Sequence, residues 1–155
     1  MTGRLTRVVL DSETMGRLSP LQEADRAQAV TDLEVENEFS PVARPDAQSV
    51  LHLSIQDGRL VFDIRDEADA PICAVLLAMG PFKMLIKDYQ MLLDSYAGAI
   101  AEGREAKIQA IDMGRRGLHN EGAELMVERL EGKVEIDFPT ARRLFTLVCA
   151  LHQKL

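Results

Sequence analysis

The chain has only two cysteines, no tryptophan and an aromatic content of 5%, and each shortage removes a class of explanation. Cys73 and Cys149 lie far apart, in the apolar runs ICAVLL and TLVCALH. They form no C-x-x-C pair that could chelate zinc or cycle a disulfide. Both read as buried thiols that behave as small hydrophobes. Long hydrophobic runs are also missing: the longest uncharged apolar stretch, Ala70 to Phe82, contains Pro71 and Pro81 and is too short to span a bilayer. The opening MTGRLTRVVLDSE has no apolar core of a secretion signal, so the cytoplasm is the expected location and no membrane association is expected.

Positive charge is scarce as well. Eighteen Lys and Arg against 25 Asp and Glu leave a formal charge of -7. A polyanion would approach against net repulsion, which argues against nucleic acid except at a local basic patch. The phosphate-loop, dinucleotide, zinc-protease and nucleophile-elbow signatures are all absent. The histidines His52, His119 and His152 are scattered, so no metal site and no cofactor is expected.

What remains is globular: 155 residues, 46% hydrophobic and 28% charged, the size and balance of one domain over residues 1–155. Arg4 to Asp11 is β-branched and short, which predicts a first strand. Ser19 before Pro20 supplies a hydroxyl cap and a first-turn proline for a helix running to about Glu38. Ser40 to Ser49, with Pro41 and Pro45, reads as the longest loop.

The clearest pattern is VLHLSIQDGRLVFDIRDE. Asp57 and Gly58 suit the positive φ of a type I′ turn between alternating strands. Counting outward pairs Gln56 with Arg59, Leu53 with Phe62, His52 with Asp63 and Leu51 with Ile64. Leu51, Leu53, Ile55, Leu60, Phe62 and Ile64 then share a buried face, as in a one-sided antiparallel sheet. The unbroken run Ile72 to Met79 predicts a central strand. Gly80 and Pro81 open what should be the main core helix, with Phe82, Leu85, Ile86, Tyr89, Leu93, Tyr96 and Ile100 at helical spacing. The last segment starts at Asp137 and Pro139 and carries the stripe Ala141, Leu144, Phe145, Val148, Leu151 and Leu155. The expected fold is α+β: an antiparallel sheet of about four strands packed by four to five helices.

Candidate chemistry concentrates in Ile111 to Glu128, IDMGRRGLHNEGAELMVE. In one continuous helix, Asp112, Arg116, Asn120, Glu124 and Glu128 would form an i, i+4 row with Arg115 and His119 beside it. Arg115, Arg116 and Asn120 could then bind a phosphate or carboxylate, and His119 could serve as acid-base with Glu121 or Glu124 as its partner. The sequence favours a blander arrangement. Three glycines, each costing about 1 kcal/mol in a helix, suggest a break at Gly117, with the arginines ending one helix, Asn120 capping the next and Glu121 and Glu124 near its positive end. His119 alone is left without a structural role.

A second candidate is the cross-strand pair His52 and Asp63, with Ser54 on the same face; a solvated contact is the ordinary fate of such a pair. A third is the basic face of Arg142 and Arg143, with Lys83 and Lys87. RNA binding would need Arg115, Arg116, Arg142 and Arg143 together on one side of the molecule. Tyr89 and Tyr96 fit the core stripe better than a stacking platform.

Over DLEVENEFSPV, LHLSIQDGRLVFDIRDE, IDMGRRGLHNEGAELMVERLEGKVEIDF and TARRLFTLVCALH the chain resembles a family of uncharacterised alphaproteobacterial proteins of unknown function. The resemblance runs over nearly the full length and implies no activity, substrate or functional residue. From the residues themselves, the favoured reading is a non-enzymatic cytosolic binding or regulatory module that engages an acidic small molecule or protein partner around Arg115, Arg116 and His119. The rival is a small hydrolase or transferase acting on a phosphate- or carboxylate-bearing substrate, with His119 as acid-base. The two differ in geometry, because an enzyme needs these groups convergent in a concave pocket.

Overall fold

The hairpin forms where the turn chemistry puts it. In the computed structural model, which describes residues 3–10 and 18–152, Asp57 and Gly58 have φ of 52° and 73°. They join β3 (Gln48–Gln56) to β4 (Arg59–Asp66) in the predicted register, His52 opposite Asp63 and Leu53 opposite Phe62. The remaining elements, in chain order around that hairpin, are β1 (Arg4–Leu10), α1 (Pro20–Val35), β2 (Phe39–Pro41), then β5 (Pro71–Ala78), α2 (Gly80–Glu102), α3 (Glu105–Leu130), β6 (Val134–Ile136) and α4 (Phe138–Leu151). Asp11 and Leu155, the expected ends of the first strand and of the last apolar stripe, lie outside the described residues.

The main sheet has the order β1-β3-β4-β5, and it is mixed rather than wholly antiparallel. β1 pairs parallel with β3, because a parallel neighbour requires a crossover and α1 with β2 supplies it. β5 lies at the sheet edge, not at its centre: its burial alternates, with Val75 and Leu77 buried and Leu76 exposed. An unbroken apolar run therefore reported composition rather than two-sided burial. The opposite edge, on β1, is closed by the end of α1. The Asn37 side chain accepts from Leu5 N–H at 2.7 Å and donates to the Leu5 carbonyl at 2.9 Å, while Glu34 accepts from Val8 N–H at 3.0 Å. Those side chains satisfy a row of groups that would otherwise invite another strand. Of the segment Ser40 to Ser49 read as a long loop, residues 42–47 are turn and loop, while its first two residues belong to β2, which pairs with β6 in a second, two-stranded sheet, and its last two to β3.

Helix α1 begins with the expected Ser19 cap, which forms a reciprocal capping box with Gln22. Asp137 caps α4 by accepting from Thr140 N–H at 3.0 Å. α4, not α2, is the most deeply buried helix, with nine buried residues against five. The α2 stripe runs out at its far end, where Ile100 is exposed and Tyr96 half-buried. Cys149 is buried as expected, whereas Cys73 is only half-buried.

The largest departure is α3, which is helical without interruption from Glu105 to Leu130. Gly117 is not a helix end. Two of the glycines serve packing on either side: a Cβ on Gly114 would touch Leu92 of α2 at 3.4 Å, and one on Gly122 would lie 2.3 Å from the ring of Phe145 on α4. Burial of Ile111, Ala123, Met126 and Leu130, at about 1.5–3 kcal/mol for each large side chain, outweighs the glycine penalty of about 1 kcal/mol per residue.

Candidate functional site

Because α3 continues through Gly117, Arg115, Arg116 and His119 project from consecutive turns of one helix into a cleft instead of ending two. The cleft lies between α1 and α4. It is a cavity of about 500 Å³ lined by Asp25, Gln28 and Asp32 of α1, the three α3 residues, and Phe138, Arg142, Arg143 and Thr146 of α4. The antiparallel course of the helices orders it from end to end. Asp25, Arg115, His119 and Thr146 meet at one end; at the other, Arg143 donates to the Glu36 carbonyl at 3.2 Å.

At the first end Asp25 is fully engaged. It accepts from Arg115 Nη1 at 3.0 and 3.3 Å and from the Tyr89 hydroxyl of α2. Burial and that carboxylate hold the Tyr89 phenol protonated, well above its ordinary range. His119 packs against Tyr89 with ring centroids 5.1 Å apart and meets the edge of Phe145 at 6.2 Å. Burial first, then the charges of Arg142 and Arg115, push its pKa down to about 4, so the ring is neutral at pH 7. Thr146 Oγ1 donates to the Arg142 carbonyl at 3.2 Å and lies 3.4 Å from His119 Nε2.

The arginines are not compensated in the same way. Arg115 has Asp25 and, at 3.6 Å, Asp112. Among the described residues, Arg116, Arg142 and Arg143 have no carboxylate within salt-bridge distance; Arg142 Nε donates to the neutral Asn120 side chain at 2.9 Å. Four guanidiniums against the carboxylates of Asp25 and Asp32 leave +2 on the lining of a chain whose formal charge is -7. Burial, together with Arg116, Arg115 and Arg143, lowers the pKa of Arg142. Such mutual destabilisation of like charges is relieved by an anion.

Other expected groups fall elsewhere. Glu121 and Glu124 are exposed and neither lines the cleft that His119 enters; Glu121 lines a shallow depression with Asp88 of α2. Asn120 contributes indirectly, by holding Arg142. His52 and Asp63 are directly opposite, but Asp63 is taken by Arg65 at 2.7 Å. The carboxylate nearest His52 is Asp69 at 3.8 Å, and its Nε2 is buried without a hydrogen bond. Lys83 and Lys87 do not line the cleft. Residues that the sequence did not single out for the site are Asp25, Tyr89 and Thr146: one acid among many on a polar helix, a core-stripe aromatic and a helix hydroxyl.

Comparison with known proteins gives the chain a family. A model described as "Uncharacterised protein family (UPF0262)" matches residues 2–154. The chain belongs to the UPF0262 family. Among UPF0262 proteins, that of Acidiphilium cryptum is 68% identical over 152 residues, covering 98% of this chain and 94% of its own length. That of Granulibacter bethesdensis is 62% identical over 160 residues, covering 98% and 91%, and the Bradyrhizobium protein is 49% identical over 154 residues, covering 99% and 92%. These relatives are alphaproteobacterial. No solved structure matches the chain, and no helix among its described residues is long and apolar enough to cross a membrane.

Proposed function

We propose that the cleft binds a small anionic ligand bearing a phosphate or carboxylate, and that the protein acts as a cytoplasmic binding module rather than a catalyst. One observation carries this reading: Arg116, Arg142 and Arg143 converge on a concave cavity with no carboxylate of their own. Guanidiniums present a fork that matches the two oxygens of such a group. Arg65, by contrast, is held by Asp63 and Asp69.

The concavity also suits catalysis, with His119 at one end of the cleft. Against that role, a histidine with a pKa of about 4 is a weak base and cannot protonate a leaving group at neutral pH. Neither Glu121 nor Glu124 orients it. Thermal shift of the wild type against a panel of phosphates and carboxylates tests the binding reading. A ligand at a hundred times its Kd adds about 2.7 kcal/mol, a rise of several degrees for a domain of this size, and Arg116→Ala should abolish that rise. No shift with any anion would sink the proposal. Turnover of a phosphate ester that is lost in His119→Gln would favour the enzyme instead.

A further inference from the structure

The cleft is not uniformly cationic, and its gradient narrows the ligand. Phe138, the first residue of α4, lines it while 41% exposed, although the other phenylalanines among the described residues are fully buried. It lies two turns before Thr146, about 12 Å along the helix. On the facing wall, Asp32 is seven residues beyond Asp25, about 10 Å away, and accepts from Gln28 Nε2 at 2.8 Å. One end therefore offers a neutral histidine among guanidiniums. The other has Arg143, held by the Glu36 carbonyl, and adds an aromatic face, a carboxylate that accepts hydrogen bonds and an adjacent amide.

We propose that this cleft takes a nucleoside monophosphate, with the phosphate between Arg116 and Arg142 and the base laid on Phe138 within reach of Gln28 and Asp32. The inference rests on the anion-binding reading and adds the class of ligand. A bare phosphate fills one end only. A purely apolar acid would offer nothing to the lone pairs of Asp32 that Gln28 leaves free, whereas the amino and ring N–H groups of a base supply donors for them. The separation of the two ends suits a phosphate and a base joined by a sugar, and a cavity of about 500 Å³ falls in the range of small-molecule sites.

The test is calorimetric titration of the full chain with inorganic phosphate, ribose 5-phosphate and the four ribonucleoside monophosphates. At least one nucleotide should bind roughly tenfold more tightly than ribose 5-phosphate, the increment expected of a stacked base. Phe138→Ala should remove that increment and leave the sugar phosphate unchanged; Phe138→Trp should preserve it and serves as the control for folding. Nucleotides that bind no better than ribose 5-phosphate, or a Phe138→Ala change that weakens both ligands equally, would overturn the nucleotide assignment and leave the anion site standing. Failure of phosphate, sugar phosphate and nucleotides alike would overturn both.

Discussion

Replacing two glycines of α3 by alanine, one at a time, should move stability in opposite directions. At Gly117 a new Cβ meets nothing within 4 Å, so the substitution adds only the helix-propensity gain of about 1 kcal/mol. At Gly122 the same atom would lie 2.3 to 2.5 Å from three atoms of the Phe145 ring, well inside the 3.5–4.0 Å of a comfortable carbon contact. Phe145 is fully buried and cannot swing into solvent, so α3 and α4 must separate. Overpacking of this kind costs about 1–3 kcal/mol, which offsets or exceeds the propensity gain. With about 2–4 °C per kcal/mol for a chain of this length, Gly117→Ala should raise Tm by a few degrees and Gly122→Ala should lower it. Chemical denaturation of both variants, with Gly122→Ala/Phe145→Leu to relieve the clash, measures the pair. If Gly117→Ala destabilised, Gly117 would occupy the left-handed position of a helix end, and the continuous α3 that gathers the cleft would be wrong.

Other outcomes follow from particular contacts. Because folding depresses the pKa of His119 from 6.5 to about 4, the unfolded chain takes up a proton there first as pH falls. His119 should therefore cost no stability above pH 6.5 and up to about 3 kcal/mol by pH 4; denaturation of wild type and His119→Gln across that window should give converging or crossing curves, and parallel curves would refute the shift. Asn37→Ala should destabilise by about 1–3 kcal/mol by stranding the Leu5 N–H and carbonyl, and light scattering should reveal association through the opened β1 edge. Asp25→Asn removes the carboxylate that engages Arg115 and Tyr89; phosphate should bind it several-fold more tightly at low salt, an advantage that shrinks as salt rises. His52→Gln, on the sheet face away from the cleft, should leave anion affinity within twofold in the same titration.

Local chemistry made much of the fold legible. Asp57-Gly58 dictated a hairpin and its register, Ser19-Pro20 and Asp137-Pro139 dictated helix starts, and alternation assigned Leu51, Leu53, Phe62 and Ile64 to the core, because each signal acts within a few residues. The direction of β1, the edge position of β5 and the β2–β6 pair rest on partners distant in sequence, about which local patterns say nothing. Glycine content pointed to a break in α3 for the same reason: propensity is local, whereas the demand for a small residue at Gly122 comes from Phe145, 23 positions on.

The candidate site divides along this line. The chain by itself determined that arginines, a histidine and an asparagine crowd into one segment and that two more arginines follow in the last helix. The family resemblance was legible in the same motifs. Only tertiary structure decided that Arg115, Arg116, Arg142 and Arg143 share one cleft, that Asp25 engages both the first of them and the Tyr89 hydroxyl, and that Glu121 and Glu124 lie outside the cleft lining. Side-chain identity sets what a group can do, but the charge it feels depends on burial and on neighbours brought together by packing.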